Sequence, residues 1–322
     1  MTAQPQGKIL VIRGGAIGDF ILTLPALAAL RRQFPGAHLE VLGYPAIAAL
    51  ALPGGLVDAV RPIESRALAG FFADFGDLDD ATGRYFAGFH VIVSYLYDPT
   101  GCFVENVRAC TRAQFIQGPH RPDEAQPLHA TDVFLKPLER LAIFDADPVP
   151  RLSGAAAAPV AAPLLAVHPG SGSERKNWPA PHWAKFLAHL MSGTDWNVLL
   201  IGGEAEGVRV TELAAPLPSS RVTVLQNHPL PQLAETLRHC LGFVGHDSGI
   251  THLAAAVGLP GLALWADTNP TIWHPRSPAF HVLRNADGLA HLAPETVFNV
   301  LRNLLLLRTP PPPPATPARP AG

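Results

Sequence analysis

Between Leu241 and Trp265 the chain reads LGFVGHDSGITHLAAAVGLPGLALW, and that order of residues leaves little choice of architecture. Leu241 to Val244 is a short apolar run of the kind that forms a buried strand, and Gly245 to Gly249 is a tight polar turn. Ile250 to Val257 then reads as a helix, closed by Gly258 with Pro260 just beyond, and Gly261 to Trp265 as a second buried strand. A strand–loop–helix–strand unit of this length belongs to a parallel sheet. Asp247 or Ser248 can cap the helix by accepting from its unpaired N–H groups. The N–H groups left over, with the helix dipole, make an anion site beyond the carboxyl end of a strand. His252 lies three residues after Gly249, on the same side of the first turn. Gly249 leaves room for a ligand to approach, and His252 can donate to it. The same residues also fit a plain capped helix with His252 packed nearby, so the D-x-G-x-x-H pattern gains meaning only from its company.

That company is a chain of similar units. In the first half, strands are expected at Lys8–Ile12, Leu39–Leu42, Val57–Val60, Val91–Leu96 and Gln114–Gln117. Helices are expected at Asp19–Gln33, Ala46–Leu52 and His129–Phe144, with helical pieces between 65 and 88. Pro148 to Pro163 then has the Pro/Ala-rich composition of a linker. A second series follows: strands at Leu164–Val167, Val198–Ile201, Val222–Leu225 and His281–Arg284 flank the unit above, with helices at Pro181–Met191, Glu204–Ala214, Leu230–His239 and Leu289–Leu307. The expected fold is α/β, with two Rossmann-like doubly wound domains facing across a cleft. Residues 1–150 form the first domain, 151–163 the linker, 164–308 the second domain, and 309–322 a proline-rich tail unable to form helix or ladder.

At 322 residues, 48% hydrophobic and 16% charged, the chain has material for two cores of ordinary size. A net charge of −2 argues against a general nucleic-acid binder. The three cysteines form no C-x-x-C pair, which suits a reducing, cytoplasmic compartment and gives no metal spacing. MTAQPQGK lacks the apolar core of a signal peptide, and no apolar run reaches the ~20 residues that span a bilayer.

Three loops carry polar chemistry, each expected beyond the carboxyl end of a strand, where ligands of such sheets bind. The first is RGGAIGD, Arg13 to Asp19. A dinucleotide fingerprint would need glycine at 13, so only a glycine-rich turn remains, and Glu40 sits inside its strand instead of at a ribose. Asp19 either caps the first helix or points into the cleft as a base. The second is HPGSGSERKNWP, His168 to Pro179, where Ser171 and Ser173 can donate to phosphate oxygens and Lys176 can neutralise them. It lacks the G-K-[ST] of a Walker loop, and a solvated polar loop is the plainer alternative. The third is WADTNP, where Thr268 and Asn269 offer polar groups and Pro270 can open a short helix. Asp145-Ala-Asp147 matches a D-x-D metal motif but follows a helix into the linker, so it reads as surface, as does the charged loop Asp77–Asp80. The fourteen histidines include no H-E-x-x-H pair, and no metal or cofactor is expected.

Taken in order, these motifs resemble glycosyltransferase family 9, the ADP-heptose:lipopolysaccharide heptosyltransferases and their relatives. The resemblance runs from Lys8 to about Arg284. It rests on Arg13, Gly18, Asp19 and Pro25; on Lys176, Trp178 and Pro179; on Ile201 to Gly203; and on DSGITHLAAA, Asp247 to Ala256. His129, opening a helix after the last strand of the first half, is also similar. One departure is Asp267, which stands where the family usually has proline in G-P-T-[DN]-P. The resemblance implies a GT-B fold and an inverting, metal-independent transfer of a sugar, heptose from ADP-heptose, onto a lipopolysaccharide-core or other glycan or glycolipid acceptor. It implies Asp19 as general base and Arg13 on the acceptor side. Ser171, Lys176 and the helix opening at Asp247, Ser248, Gly249 and Thr251 would hold the diphosphate, with His252 and Thr268 beside the phosphates or sugar. It also implies peripheral contact with the inner face of the cell membrane, although Arg31-Arg32 is the one obvious basic pair. Other classes predict different behaviour. A sugar-nucleotide epimerase of the same architecture would need no acceptor. A nucleotide-sugar-binding protein would not turn over, and an NAD-dependent reductase is disfavoured by Arg13.

Overall fold

The computed structural model describes residues 7–74, 76–154, 163–203 and 207–306. Segment 309–322 and most of the linker lie outside the described residues. The first half forms a five-stranded sheet from β1 (Lys8–Arg13), β2 (His38–Gly43), β3 (Ala59–Pro62), β4 (Val91–Ser94) and β5 (Gln114–Gln117), in the order β3-β2-β1-β4-β5. The second half forms a six-stranded sheet from β6 (Leu164–His168), β7 (Asn197–Gly202), β8 (Val222–Gln226), β9 (Gly242–His246), β10 (Gly261–Leu264) and β11 (Phe280–Leu283), in the order β11-β10-β9-β6-β7-β8. Every pairing is parallel. The strand order reverses between β1 and β4 in one sheet and between β6 and β9 in the other. These are the two places where a crevice opens beyond the strand ends.

Helices α1 (Ile17–Gln33), α2 (Pro45–Ala48), α3 (Asp80–Ala87), α4 (Cys102–Cys110) and α5 (Ala130–Leu135) cover the first sheet. The second is covered by α6 (Ala180–Gly193), α7 (Arg209–Ala214), α8 (Leu230–Arg238), α9 (Gly249–Ala256), α10 (Pro270–Trp273) and α11 (Pro294–Leu306). A strand buried on both faces carries an unbroken apolar run, as Ile9 to Ile12 in β1 and Leu165 to Val167 in β6 do. Phe86, Phe103 and Val107 fill the outer face of the first sheet, and Trp183, Phe186, Leu190 and Leu301 that of the second. The inner faces share one apolar cluster that runs from Val11 through Leu22 and Leu30 of α1 to Leu253 of α9 and Ala263 of β10.

Several elements depart from their expected form. The helix expected over His129–Phe144 is α-helical only to Leu135 and continues as a 3₁₀ segment, Lys136–Leu141, because Pro137 has no N–H to give to an earlier carbonyl. The last helix is likewise divided, with a 3₁₀ turn at Leu289–His291 before Pro294 starts α11. The helix expected from Glu204 begins at Arg209, and residues 204–206 lie outside the described residues. The acidic run Asp77–Asp80 is a helix start: Asp79 caps α3 by accepting from Thr82 N–H at 2.7 Å. The third strand is displaced from Val57–Val60 to Ala59–Pro62.

The two halves meet most closely where the N-terminal ends of α1 and α9 touch. A Cβ on Gly249 would lie 2.6 Å from Cβ of Ile17 and 3.1 Å from the Gly18 nitrogen. Gly18 in turn faces the His252 ring, with Cδ2 3.4 Å from where its own Cβ would stand. Around this contact, Arg276 Nη1 of the second half donates to Asp132 Oδ1 of the first at 2.6 Å, and Leu152 N–H donates to Ala256 C=O at 2.9 Å. We expect Gly249→Ala to destabilise the protein by ~1–3 kcal/mol, the usual cost of inserting a methyl group into a closed contact. Scanning calorimetry should show the lowered transition, and an unchanged melt would mean the helices separate freely.

Candidate active site

The first crevice is built on Arg13. Its side chain is only 2% exposed, and its guanidinium is consumed by the protein itself. Nη1 donates to the carbonyls of Tyr95 (3.3 Å) and His120 (2.9 Å), and Nη2 to that of Asp19 (3.2 Å). The cation also lies 4.6 Å from the centre of the Phe134 ring. Arg13, expected at the acceptor, thus lines this cavity as part of its frame, tying the strand end, the start of α1 and the loop after β5 together. Asp19 sits in the first turn of α1, which begins two residues earlier than expected. Its Oδ2 accepts from Ala16 N–H at 2.9 Å, and Arg13 Nη2 stands 3.6 Å from Oδ1. The side chain keeps 25% exposure, so the carboxylate is oriented from below and open above. Gly15 makes this possible: its φ is +94°, and a Cβ there would lie 2.7 Å from Asp19 Oδ2.

The second crevice lies beyond β6 and β9. Ser248 caps α9, its Oγ accepting from Thr251 N–H at 3.3 Å. Of the two expected cap candidates, Asp247 is engaged elsewhere: its Oδ2 accepts from Lys176 Nζ at 2.5 Å, with the carboxylate 9% and the lysine 36% exposed. Ser171 Oγ donates to Asn177 Oδ1 and Ser173 C=O, at 2.8 and 2.9 Å, which folds the loop back on itself. Thr251 corrects an expectation. It is fully buried and its hydroxyl donates to His246 C=O, so it braces the turn and presents nothing to the cleft. His246, given no role from the sequence, is a second brace: its Nε2 accepts from Trp178 N–H at 2.7 Å, and its Nδ1 faces Gly170 C=O at 3.3 Å. It pins the whole loop from Gly170 to Trp178 against β9. Nothing in the sequence marks His246 as a brace; its burial at the end of β9 is seen only in the structure.

Three cavities join along the cleft. One of about 360 Å³ is lined by Arg13, Asp19, Tyr44, Tyr95 and Tyr97. One of about 530 Å³ is lined by Ser171, Ile201, Leu225, Asn227, Leu233 and Ser248, giving a mostly apolar slot beyond β7 and β8. Between them lies a third of about 370 Å³, walled by Asp19 on one side and by Lys176, Asp247, Ser248, Gly249 and His252 on the other. Thr268 also reaches this middle cavity, as do Arg121 and Trp273, which the sequence did not single out. Arg121 reaches across from the first half, its guanidinium 5.4 Å from the centre of the Trp273 ring. Asp267 faces a separate polar cavity with Arg284. Among the described residues no three His, Cys, Asp or Glu side chains cluster as a metal-binding set.

Burial disfavours the charged form of four histidines around the cleft. Burial pushes the imidazoles of His129 and His168 down to about 4 and that of His246 down to about 3, and it lowers His252 as well. His129 caps α5 and its Nε2 donates to His274 C=O across the halves at 2.9 Å. The unfolded chain takes up these protons near 6.5, whereas folded His129 and His168 refuse them down to about 4. Stability is therefore full above that unfolded value and falls as pH drops through the window between them. We expect the melting temperature to decline steadily from neutral to mildly acidic pH. His129→Gln should flatten part of that decline, and a variant with the wild-type slope would remove His129 from the account.

The sequence profile of glycosyltransferase family 9 (heptosyltransferase) matches residues 139–297. Lipopolysaccharide heptosyltransferase 1 of Pseudomonas aeruginosa is 26% identical over 297 residues, covering 82% of this chain and 79% of that protein. Among solved structures, a family 9 glycosyltransferase from Veillonella parvula superposes with a TM-score of 0.77 at 18% identity, covering 94% of this chain and 97% of that one. ADP-heptose lps heptosyltransferase II of E. coli superposes at 0.75 with 19% identity, covering 93% and 99%. No described helix is long and apolar enough to cross a membrane. With two parallel sheets meeting across a cleft and its motifs at both switch points, this chain has the GT-B fold, and its residues 139–297 match glycosyltransferase family 9.

Proposed function

We propose that the chain transfers a sugar from a nucleotide sugar, with ADP-heptose as the donor, to a hydroxyl of a glycan or glycolipid acceptor, inverting the anomeric centre without a metal. One observation carries this reading: a single cavity has an oriented carboxylate on one wall and a lysine with a helix N-terminus on the other. Asp19 takes the proton from the acceptor hydroxyl as its oxygen bonds to the anomeric carbon. The bond from that carbon to the diphosphate oxygen breaks on the opposite face, and the nucleoside diphosphate leaves with the negative charge. Lys176, Ser248 and the N–H groups of α9 stand where that charge develops. The apolar slot beside Ile201, Leu225 and Leu233 suits a nucleobase. Ser171 supports the phosphate loop through its hydrogen bonds to Ser173 and Asn177, and His252 and Thr268 flank the transferred sugar. Arg13 acts on the acceptor side by holding Asp19. Lipopolysaccharide acceptors in the names of the relatives suggest work at the inner face of the membrane by peripheral contact.

Calorimetric titration with ADP, UDP, GDP and NAD, followed by transfer assays with ADP-heptose, tests the reading. Binding of NAD alone, or isomerisation of the donor without acceptor, would refute it. Transfer should also survive chelation, because the charge-offsetting role falls to Lys176 and α9. Loss of activity in EDTA that magnesium or manganese restores would assign that role to a metal.

A further inference from the structure

We infer that the acceptor residue receiving the sugar is itself an uncharged sugar ring, held by its face on aromatic side chains and not by cations; this rests on the glycosyl transfer proposed above. The cavity over the β1/β4 switch point has an unusual rim. Four aromatic side chains among the described residues are exposed, and three of them, Tyr44 (40%), Phe72 (45%) and Tyr97 (65%), line this one cavity. They come from three separate segments: Tyr44 follows β2, Phe72 ends a 3₁₀ segment and Tyr97 follows β4. Leaving three rings in water costs hydrophobic free energy at each, which makes their convergence a binding feature. Two of the rings are held in place. Phe72 stacks on Phe103 at 4.8 Å, and Tyr97 lies 4.6 Å from the His120 ring.

The charges of the same cavity point the same way. Its lining carries two cations, Arg13 and Arg121, and two anions, Asp19 and Glu64, which cancel. Neither cation is idle. Arg13 is spent on backbone carbonyls, and Arg121 lies 3.3 Å from Glu124 and over the Trp273 ring. A phosphorylated or carboxylated acceptor needs uncompensated donors to replace its water, and here it would also meet the carboxylates of Asp19 and Glu64. A pyranose offers a face of weakly positive C–H groups, which suits the negative face of an aromatic ring. Seated on that rim, it can turn a hydroxyl towards Asp19, which together with Arg121 lines both this cavity and the middle one.

The test uses the full chain with ADP-heptose and three sets of probe acceptors: methyl glycosides of neutral hexoses and heptoses, their phosphate monoesters, and a methyl glycoside of an acidic keto-sugar. ADP release should respond to the neutral set, and its acceptor KM should move less than about twofold between ~0.05 and ~0.5 M salt. Tyr97→Ala should raise that KM by about tenfold with kcat and ADP affinity held, and Tyr97→Phe should restore it. A preference for the acidic probes, a KM that climbs steeply with salt, or an unaltered Tyr97→Ala overturns the inference. Should no probe turn over, saturation-transfer NMR without nucleotide decides. Transfer to the ring protons of neutral glycosides that Tyr97→Ala abolishes supports the inference, and its absence refutes it. Failure to bind any nucleotide sugar in calorimetry would instead refute the proposed transfer, a result read separately from either.

Discussion

Asp19→Asn is expected to abolish most transfer while leaving a folded protein that still binds nucleotide. Asparagine keeps the shape of the side chain, and its amide oxygen can still accept from Ala16 N–H, the bond that orients Asp19 at 2.9 Å. The carbonyl of residue 19, which accepts from Arg13 Nη2 at 3.2 Å, is untouched by the change. Only the proton acceptor is lost, and the rate should fall by ~10²–10⁴-fold, the usual range for a general base. Donor affinity by calorimetry should hold, because Asp19 lines the first and middle cavities and not the apolar slot. A normal rate would reduce Asp19 to an anchor for the first turn of α1. Weak donor binding with an intact melt would move it to the nucleotide.

The second large effect concerns Lys176. Lys176→Ala should slow transfer by about 10²-fold, the scale seen on losing one donor that stabilises transition-state charge. The same change leaves Asp247, 9% exposed, without the ammonium 2.5 Å away, so some stability should be lost as well. Lys176→Ala with Asp247→Asn removes that second effect by discarding the stranded charge. If the double variant melts like the wild type and remains slow, the lysine acts on the reaction. If it recovers the rate, the single variant was failing through its unpaired carboxylate. The Lys176 side chain, 36% exposed, is able to swing from the carboxylate it pairs with to a diphosphate.

The strands were legible because both faces of a parallel sheet are buried, and an apolar run such as Leu164–Val167 has few other uses. Gln114–Gln117 was placed to the residue. Helix α4 went unread: Gly101, at φ +76°, opens it, its capping carboxylate is Asp98 three residues further back, and CFVENVRAC mixes apolar and polar residues too evenly to announce a period. The loops of the site were legible in kind but not in partnership. Nothing in the spacing of Lys176 and Asp247 says that they meet. Thr251 reads like its neighbours in the D-S-G-x-x-H pattern, yet its hydroxyl is turned inward to a carbonyl of the preceding strand. Arg13 offered a cation at a cleft, and only the structure shows its donors already taken by three carbonyls. Tyr44, Phe72 and Tyr97 lie in three separate segments, and their shared rim exists only after the first sheet has formed.

The glycine contact between α1 and α9 has a mechanical consequence. Gly249 packs on the Ile17 side chain and Gly18 on the His252 ring with no room for an added methyl group at Gly249, so the two helix starts are held at one close separation. Asp19 and Ser248 each stand next to one of the two glycines, so this contact fixes how far apart they lie across the cleft. The Arg276–Asp132 pair lies elsewhere on the interface and ties the halves a second time. The span between proton acceptor and leaving group is thereby set by a contact that a side chain added at Gly249 would lengthen.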